Sequence, residues 1–220
     1  MGQKLSGIKV CIWDFDVTLY RAAPAFHREV LEAAYRVIME HRGWDKEKTI
    51  QEFHNLYKVT TPSSTETAAK LAHIPVAQAA IEVEWYKDRT QYISRDEKMI
   101  ALFSSLRRYR HYILTNSVLD TIIPALKILG IPQKTFTAIV TSEVVGVAKP
   151  QPDGFQYIMQ KTGLPAAAHL MIGDREAVDL APAKSLGMRT CLVHWGETKP
   201  QTDCVDIVAA DVYTVAYLLV

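Results

Sequence analysis

The sequence predicts an α/β protein with a doubly wound parallel sheet, whose chain leaves for an all-helical insertion straight after the first strand. Three observations lead there. From about residue 96 onward, short apolar runs alternate with helical stripes, the rhythm of strands joined by crossover helices. The first apolar run, Ile8 to Trp13, is continuous rather than alternating, as expected of a strand buried on both faces. Between about residues 20 and 95 only helical periodicity is found. The expected division is a core from residues 1–19 and 96–220 and a helical domain from residues 20–95.

In chain order, Pro24 followed by Phe26, Val30, Leu31, Ala34, Val37 and Ile38 makes an apolar helical stripe that Gly43 is placed to end. Further helical stretches are expected over Ile50 to Lys58, Glu66 to Ala72 and Val76 to Arg89. Met99, Ile100, Phe103 and Leu106 line the next helix, before a short strand at Tyr112-Ile113-Leu114. Val118, Ile122, Leu126 and Leu129 line a helix closed by Gly130 and Pro132, and Ala138-Ile139-Val140 is the third strand. Phe155, Ile158 and Met159 mark a helix ended by Gly163, and Leu170-Met171-Ile172 the fourth strand. A helix from about Leu180 to Leu186 is expected, with Asp179 as its N-cap, Pro182 tolerated in its first turn and Gly187 at its end. Thr190 to Val193 and Asp206 to Ala209 complete the strands; Gly196 to Asp203 reads as a loop, and a short apolar helix ends at Val220.

The 220 residues suffice for a full core plus an insertion. A formal charge of +1 provides no field directed at nucleic acid or membrane. No apolar run is long enough to span a bilayer, and Met1 to Ser6 lead into a strand without a signal-peptide core, which predicts a soluble cytoplasmic protein. Gly2 with Ser6 fits only the loose myristoylation pattern. Cys11, Cys191 and Cys204 lack metal-type spacing and read as reduced thiols.

The chemistry begins where the first strand stops, at Asp14-Phe15-Asp16-Val17-Thr18. Two carboxylates one residue apart repel, and burying either unpaired is costly. A crevice at the end of a parallel strand, with a cation to neutralise them, would make the pair tolerable. A plain strand-end turn, in which Asp16 and Thr18 satisfy backbone donors, would account for them too. The other strand ends carry matching polar groups. The second ends Leu114-Thr115-Asn116-Ser117, a hydroxyl and backbone donors at a helix start. Lys149-Pro150 follows the third, and the fourth ends Gly173-Asp174, with Asp179 five residues beyond Asp174. A doubly wound sheet gathers all four stations at one crevice.

These four stations, in this order, resemble the motifs of the haloacid dehalogenase-like hydrolase superfamily, and the likeness covers almost the whole chain outside the insertion. Asp14 to Thr18 match the first motif, Thr115 the second, Lys149 with Pro150 the third, and Gly173-Asp174 through Asp179 the fourth. Val17 departs from the small or amide residue usual there, and Val178 from the Asn that often precedes the last Asp. The resemblance implies a Rossmann-like core with the first strand central and, in residues 20–95, a helical cap of the family's first cap class. Its hinges would lie near Leu19 to Ala23 and Ser94 to Glu97.

The resemblance also implies the roles. Asp14 is the nucleophile that becomes an aspartyl phosphate. Asp16 protonates the leaving oxygen and then activates water, which asks for a carboxyl able to carry a proton near neutral pH. Asp14 and Asp174, with the Asp16 carbonyl and waters, hold Mg²⁺. Thr115 and the Asn116 backbone N–H bind phosphoryl oxygens, and Lys149 offsets charge on nucleophile and phosphate. Asp179 is a supporting carboxylate or a further ligand, and Thr18 holds the loop. The implied activity is Mg²⁺-dependent hydrolysis of a small phosphomonoester, such as a sugar phosphate, a nucleotide or a phosphoglycolate-like compound. The partner is then a small phosphorylated metabolite rather than a nucleic-acid polymer or a membrane, with monomer and dimer both open.

Two alternatives stand beside it: a phosphomutase of the β-phosphoglucomutase type, which shares all four motifs, and a phosphate-binding regulator without turnover. Asp16 argues against a haloacid dehalogenase, which lacks the second carboxylate and needs no metal. No cap lysine can be placed for the Schiff base of a phosphonate hydrolase. Among the remaining polar residues, His27, His54 and His73 read as surface or helix-face histidines. His194-Trp195 follows the fifth strand, where a residue facing the crevice is possible. Trp85-Tyr86 with Lys87 and Arg89 could line a nucleotide site, though such aromatics usually pack in a core. Arg21, His27 and Arg28 read as a solvated face that could meet a second anionic group.

Overall fold

The computed structural model describes residues 5–59, 63–196 and 202–219. Strand β1 (Val10–Trp13) is followed by helices α1 (Pro24–Arg42), α2 (Lys46–Val59), α3 (Ser64–Ala72), α4 (Val76–Glu84) and α5 (Glu97–Ser105), and then by β2 (Arg110–Leu114). The rest of the chain alternates: α6 (Leu119–Leu129), β3 (Ala138–Val140), α7 (Ser142–Val145), α8 (Asp153–Thr162), β4 (His169–Gly173), α9 (Ala181–Ser185), β5 (Arg189–Val193), β6 (Ile207–Ala209) and α10 (Val215–Leu219). All six strands are parallel, in the order β3-β2-β1-β4-β5-β6. Strand order reverses at β1, so the crevice of the sheet opens where β1 and β4 end.

The pleat explains the unbroken apolar run. Val10 and Ile12 face one core with Tyr112, Leu114, Met171 and Phe155; Cys11 and Trp13 face the other with Ile113, Leu170 and Ile172. Side chains of both parities are buried, so no position on β1 is free to be polar. The helices of the insertion have a core of their own, in which Ala34, Ile38, Phe53, Ala68 and Val83 are almost fully buried. Pro24 opens α1, and Gly43, at φ 63, closes it by donating its N–H to Met39 O at 2.8 Å. None of the described helices is long and apolar enough to cross a membrane.

Some local expectations change. The helix expected over Val76 to Arg89 stops at Glu84, because Lys87 and Arg89 both turn back onto the Glu84 carboxylate; a 3-10 turn then covers Arg89–Tyr92. Trp85 is 67% exposed rather than core. Asp179 does not cap a following helix. It lies inside a π-helical turn, Glu176–Leu180, fully buried, and α9 begins after it without a side-chain cap. Helix α7, a single turn, has too few residues to show a period in sequence. The expected loop over Gly196 to Asp203 falls partly, and the chain end at Val220 wholly, outside the described residues.

Candidate active site

Strand β1 delivers Asp14 to the crevice, its backbone N–H donating to Ile172 O at 2.9 Å and the residue 4% exposed. Lys149 Nζ donates to Asp14 Oδ1 and to Asp179 Oδ1, both at 2.6 Å, and Thr18 Oγ1 donates to Asp14 Oδ2 at 2.9 Å. Asp14, Asp174 and Asp179 are all buried, with ligand atoms within 4.8 Å of one another. Gly173 permits this: a Cβ there would come within 2.6 Å of Asp179 Cβ. The π-helical turn folds Asp179 back over that glycine, where its Oδ2 accepts the Arg175 N–H at 3.1 Å.

Asn116 fixes the lysine. Its Oδ1 accepts the Lys149 N–H at 2.7 Å and its Nδ2 donates to Lys149 O at 3.0 Å, so its side chain joins the β2 and β3 ends. Thr115 is buried beside it and accepts the Ser117 N–H at 3.1 Å, leaving its own hydroxyl proton to donate.

Asp16 turns the other way. Its carboxylate accepts from the Tyr20 hydroxyl and from Ser117 Oγ, the latter at 2.8 Å, and Arg89 Nη1 lies 3.4 Å away. Arg89 is 2% exposed; its Nη2 donates to both Glu84 oxygens, at 2.7 and 2.8 Å, and to Ser117 Oγ at 2.9 Å. Lys87 Nζ adds a second cation 2.9 Å from Glu84 Oε1.

The electrostatics follow from these neighbours. Burial raises the Asp14 carboxyl above the ordinary carboxylate range; Asp179 adds to the rise, while Lys149 and Arg175 counter it only in part. Burial works against the Lys149 ammonium, but Asp14 and Asp179 together hold it above its ordinary value. Burial alone would raise Asp16 as well; Arg89, Lys87 and the hydroxyls of Tyr20 and Ser117 outweigh it and bring it to about 2. The expected proton carrier is therefore ionised in this arrangement, because it faces cations rather than its fellow carboxylates.

The loop just after the second carboxylate is strained. Val17 adopts φ 67, a left-handed conformation that costs a β-branched residue about 1–3 kcal/mol. Trp195 Nε1 donates to Val17 O at 2.5 Å, a bond of the kind that contributes about 1 kcal/mol.

A cavity of about 280 Å³ opens above Asp14, Asp174 and Thr115 and is roofed by Val30, Leu31 and Tyr57 of the insertion. Asp16, Asn116 and His27 reach it, and so does Lys87. Arg21 and His194 line a neighbouring cavity that also touches Asp174. His54 lies 3.2 Å from the Tyr35 hydroxyl and His73 ends α3, so neither joins the site. Sequence reasoning missed Tyr20, Ser117 and Arg175 as site residues and raised Arg89 only as a possible lining of a nucleotide site. An arginine just outside the apolar pattern of a helix was its only signal.

Three clustered carboxylates are a hard-oxygen donor set, and beside Lys149 and Arg175 they retain negative charge that a divalent cation fits. Such a crevice, at the switch point of a doubly wound sheet and with a lysine across two of its carboxylates, is where this α/β fold gathers its buried charges. Residues 8–187 match the family model of the haloacid dehalogenase-like hydrolases, and the chain belongs to that family. It is 38% identical over 68 residues to a glyceraldehyde 3-phosphate phosphatase of Methanocaldococcus jannaschii, covering 31% of this chain and 30% of that protein. It is 30% identical over 99 residues to a plasmid phosphoglycolate phosphatase of Cupriavidus necator, covering 44% and 42%. The chain thus matches less than half the length of either relative. The fold is shared with an HAD phosphatase of Thermococcus onnurineus at a TM-score of 0.66 and 19% identity, over 96% of this chain and 97% of that one.

Proposed function

We propose that the protein is a cytoplasmic, Mg²⁺-dependent phosphatase of small phosphomonoesters that works through an aspartyl phosphate on Asp14. One observation carries this reading: Lys149 bridges Asp14 and Asp179 at 2.6 Å each, and Asp14 and Thr115 line one crevice. Phosphoryl transfer asks for this combination of a placed nucleophile and fixed positive charge.

An Asp14 oxygen attacks phosphorus, and the bond from phosphorus to the alcohol oxygen breaks as the leaving oxygen takes a proton from Asp16. To carry that proton Asp16 must first give up its contact with Arg89, since in that contact it is ionised. Once ionised again, it accepts the proton of the water that releases phosphate from Asp14. Thr115 and the Asn116 backbone N–H hold the phosphoryl oxygens, and Lys149 keeps Asp14 oriented while offsetting charge. Asp14, Asp174 and the Asp16 carbonyl would hold Mg²⁺, with Asp179 beside them; when bound it supplies charge against the phosphoryl oxygens. Helices α1 to α4, within residues 20–95, act as the cap. Their roof of Val30, Leu31 and Tyr57 covers the leaving alcohol and excludes water.

The test is phosphate release from p-nitrophenyl phosphate with Mg²⁺, followed by a panel of phosphorylated metabolites that includes glyceraldehyde 3-phosphate and phosphoglycolate. Asp14→Asn should lower turnover by about 10⁴-fold or more while the protein stays folded. Full activity in that variant, or no turnover of any phosphoester by the unaltered protein, would reject the reading. Interconversion of hexose phosphates without net phosphate release would replace it with the mutase.

A further inference from the structure

The cavity beside the site contains a device that the phosphatase reading does not use. Val17 follows Asp16 directly, and its φ of 67 is a conformation that glycine or asparagine adopts readily and a β-branched residue resists. Thr18 is fixed by its bond to Asp14 Oδ2, and Leu19 N donates to Phe15 O at 3.0 Å. With the chain pinned from Thr18 onward, the φ of Val17 sets the plane of the Asp16–Val17 peptide. That plane aims both the Asp16 carbonyl and the Asp16 side chain.

Trp195 restrains this turn from across the crevice. Its indole N–H donates to Val17 O at 2.5 Å. The indole is itself held: its ring meets Tyr213 edge-on at 5.8 Å, and the Tyr213 hydroxyl donates to Asp96 Oδ2 at 2.5 Å. On either side of it, His194 N donates to Ala209 O at 3.3 Å and Gly196 N to Ala210 O at 3.1 Å. A donor anchored to the β5 and β6 ends therefore holds a strained turn at the β1 end.

We infer that Trp195 is a positioning residue for the catalytic loop, and that Val17 and Trp195 work as a coupled pair. The valine resists the left-handed turn that the loop needs, and the indole strap holds it there. A small or amide residue at position 17 would need no strap. The inference rests on the phosphatase reading for its kinetic consequence and on the turn geometry alone for its structural one.

A double-mutant cycle tests it. Trp195→Phe keeps the ring packing and deletes the donor; Val17→Asn removes the β-branch and keeps a side chain. Two quantities are read: kcat and KM on p-nitrophenyl phosphate, and the isotherm of Mg²⁺ alone by calorimetry. Trp195→Phe should lower kcat roughly tenfold, equivalent to about 1.4 kcal/mol, and weaken Mg²⁺ binding, with KM changed less than about twofold. Adding Val17→Asn should restore most of both losses. A merely structural tryptophan would give a loss that position 17 cannot relieve, and that result overturns the proposal. So does a Trp195→Phe protein within about twofold of the original in both readouts. Val17→Asn alone should raise the thermal midpoint by removing the strain, which keeps the idea testable if Trp195→Phe does not fold; a midpoint that stays or falls counts against it. Absence of turnover in the unaltered protein would reject the phosphatase reading, whereas the Mg²⁺ isotherms would still judge the strap.

Discussion

Two residues apart on one loop, the carboxyls of Asp14 and Asp16 look into opposite surroundings. Asp14 is held among Asp174, Asp179, Lys149 and Arg175, and burial carries it upward. Asp16 is held by an arginine, a lysine and two hydroxyls, and is brought to about 2. The difference lies in where the partners come from. Those of Asp14 stand at other strand ends, so the sheet fixes them. Three of those of Asp16 lie toward the two ends of the insertion: Tyr20 just before α1, and Lys87 and Arg89 just after α4. One carboxylate thus takes its charge state from the rigid core, and the other from the two segments through which the helical insertion is attached. Substitutions on the two sides should therefore fail in different ways.

The largest effect is expected on the Asp14 side. Lys149→Met would leave Asp14 and Asp179 buried without the cation that bridges them, Arg175 remaining nearby, a loss of about 3–5 kcal/mol. Urea unfolding without added metal measures it. Adding Mg²⁺ should recover part of the loss, because a second cation can occupy the same negative site. A loss below about 1 kcal/mol would mean that the carboxylates relax apart, and that the sheet does not hold Asp14 as rigidly as the comparison requires.

The contrast between the two carboxylates also shows what a sequence can carry. The sheet was legible because β1 is apolar on both faces and the crossovers from β1 through to β5 are helical. The stations Asp14, Thr115 and Asp174 were legible because each directly follows a strand, where topology alone dictates proximity, and Lys149 because it precedes a proline in the segment after the third strand. The surroundings of Asp16 were not. Arg89 and Ser117 are 28 residues apart and meet through the path of the chain as it leaves α4, which no periodicity encodes. Asp179 illustrates the same limit at short range. An Asp before an apolar stretch reads as a helix cap, and only the close approach allowed by Gly173 shows that it faces Lys149 instead.

A smaller effect, with a distinct pH signature, is expected on the Asp16 side. The Asp16 carboxyl is held below its ordinary value of 3.8, at about 2, so it favours the folded state more when ionised than when protonated. This contribution is fully present above about pH 4 and is lost as pH falls toward about 2; a shift of this size corresponds to about 2 kcal/mol. Glu84, lowered by Lys87 and Arg89 against its own burial, adds in the same direction. Arg89→Gln should therefore cost most near neutral pH, and the gap to the unaltered protein should narrow as pH drops from about 4 toward 2. Unfolding curves at several pH values would show it. A gap independent of pH would mean that Arg89 acts by packing rather than by charge.

The smallest expected effect separates the guanidinium from the hydroxyl that accompanies it. Ser117 Oγ donates to Asp16 Oδ2 at 2.8 Å and accepts from Arg89 Nη2 at 2.9 Å, so it relays between the two charges without carrying one. Ser117→Ala removes one donor from a carboxylate that keeps Tyr20 and Arg89, and one acceptor from a guanidinium that keeps Glu84. The expected loss is about 1 kcal/mol, less than for Arg89→Gln at neutral pH. Charge on Asp16 should survive it, so the gap to the unaltered protein should narrow less in acid than it does for Arg89→Gln. If the serine variant matched or exceeded the arginine variant, the hydroxyl would be setting the state of Asp16. The opposition between the two carboxylates would then belong to the β2 end as much as to the insertion.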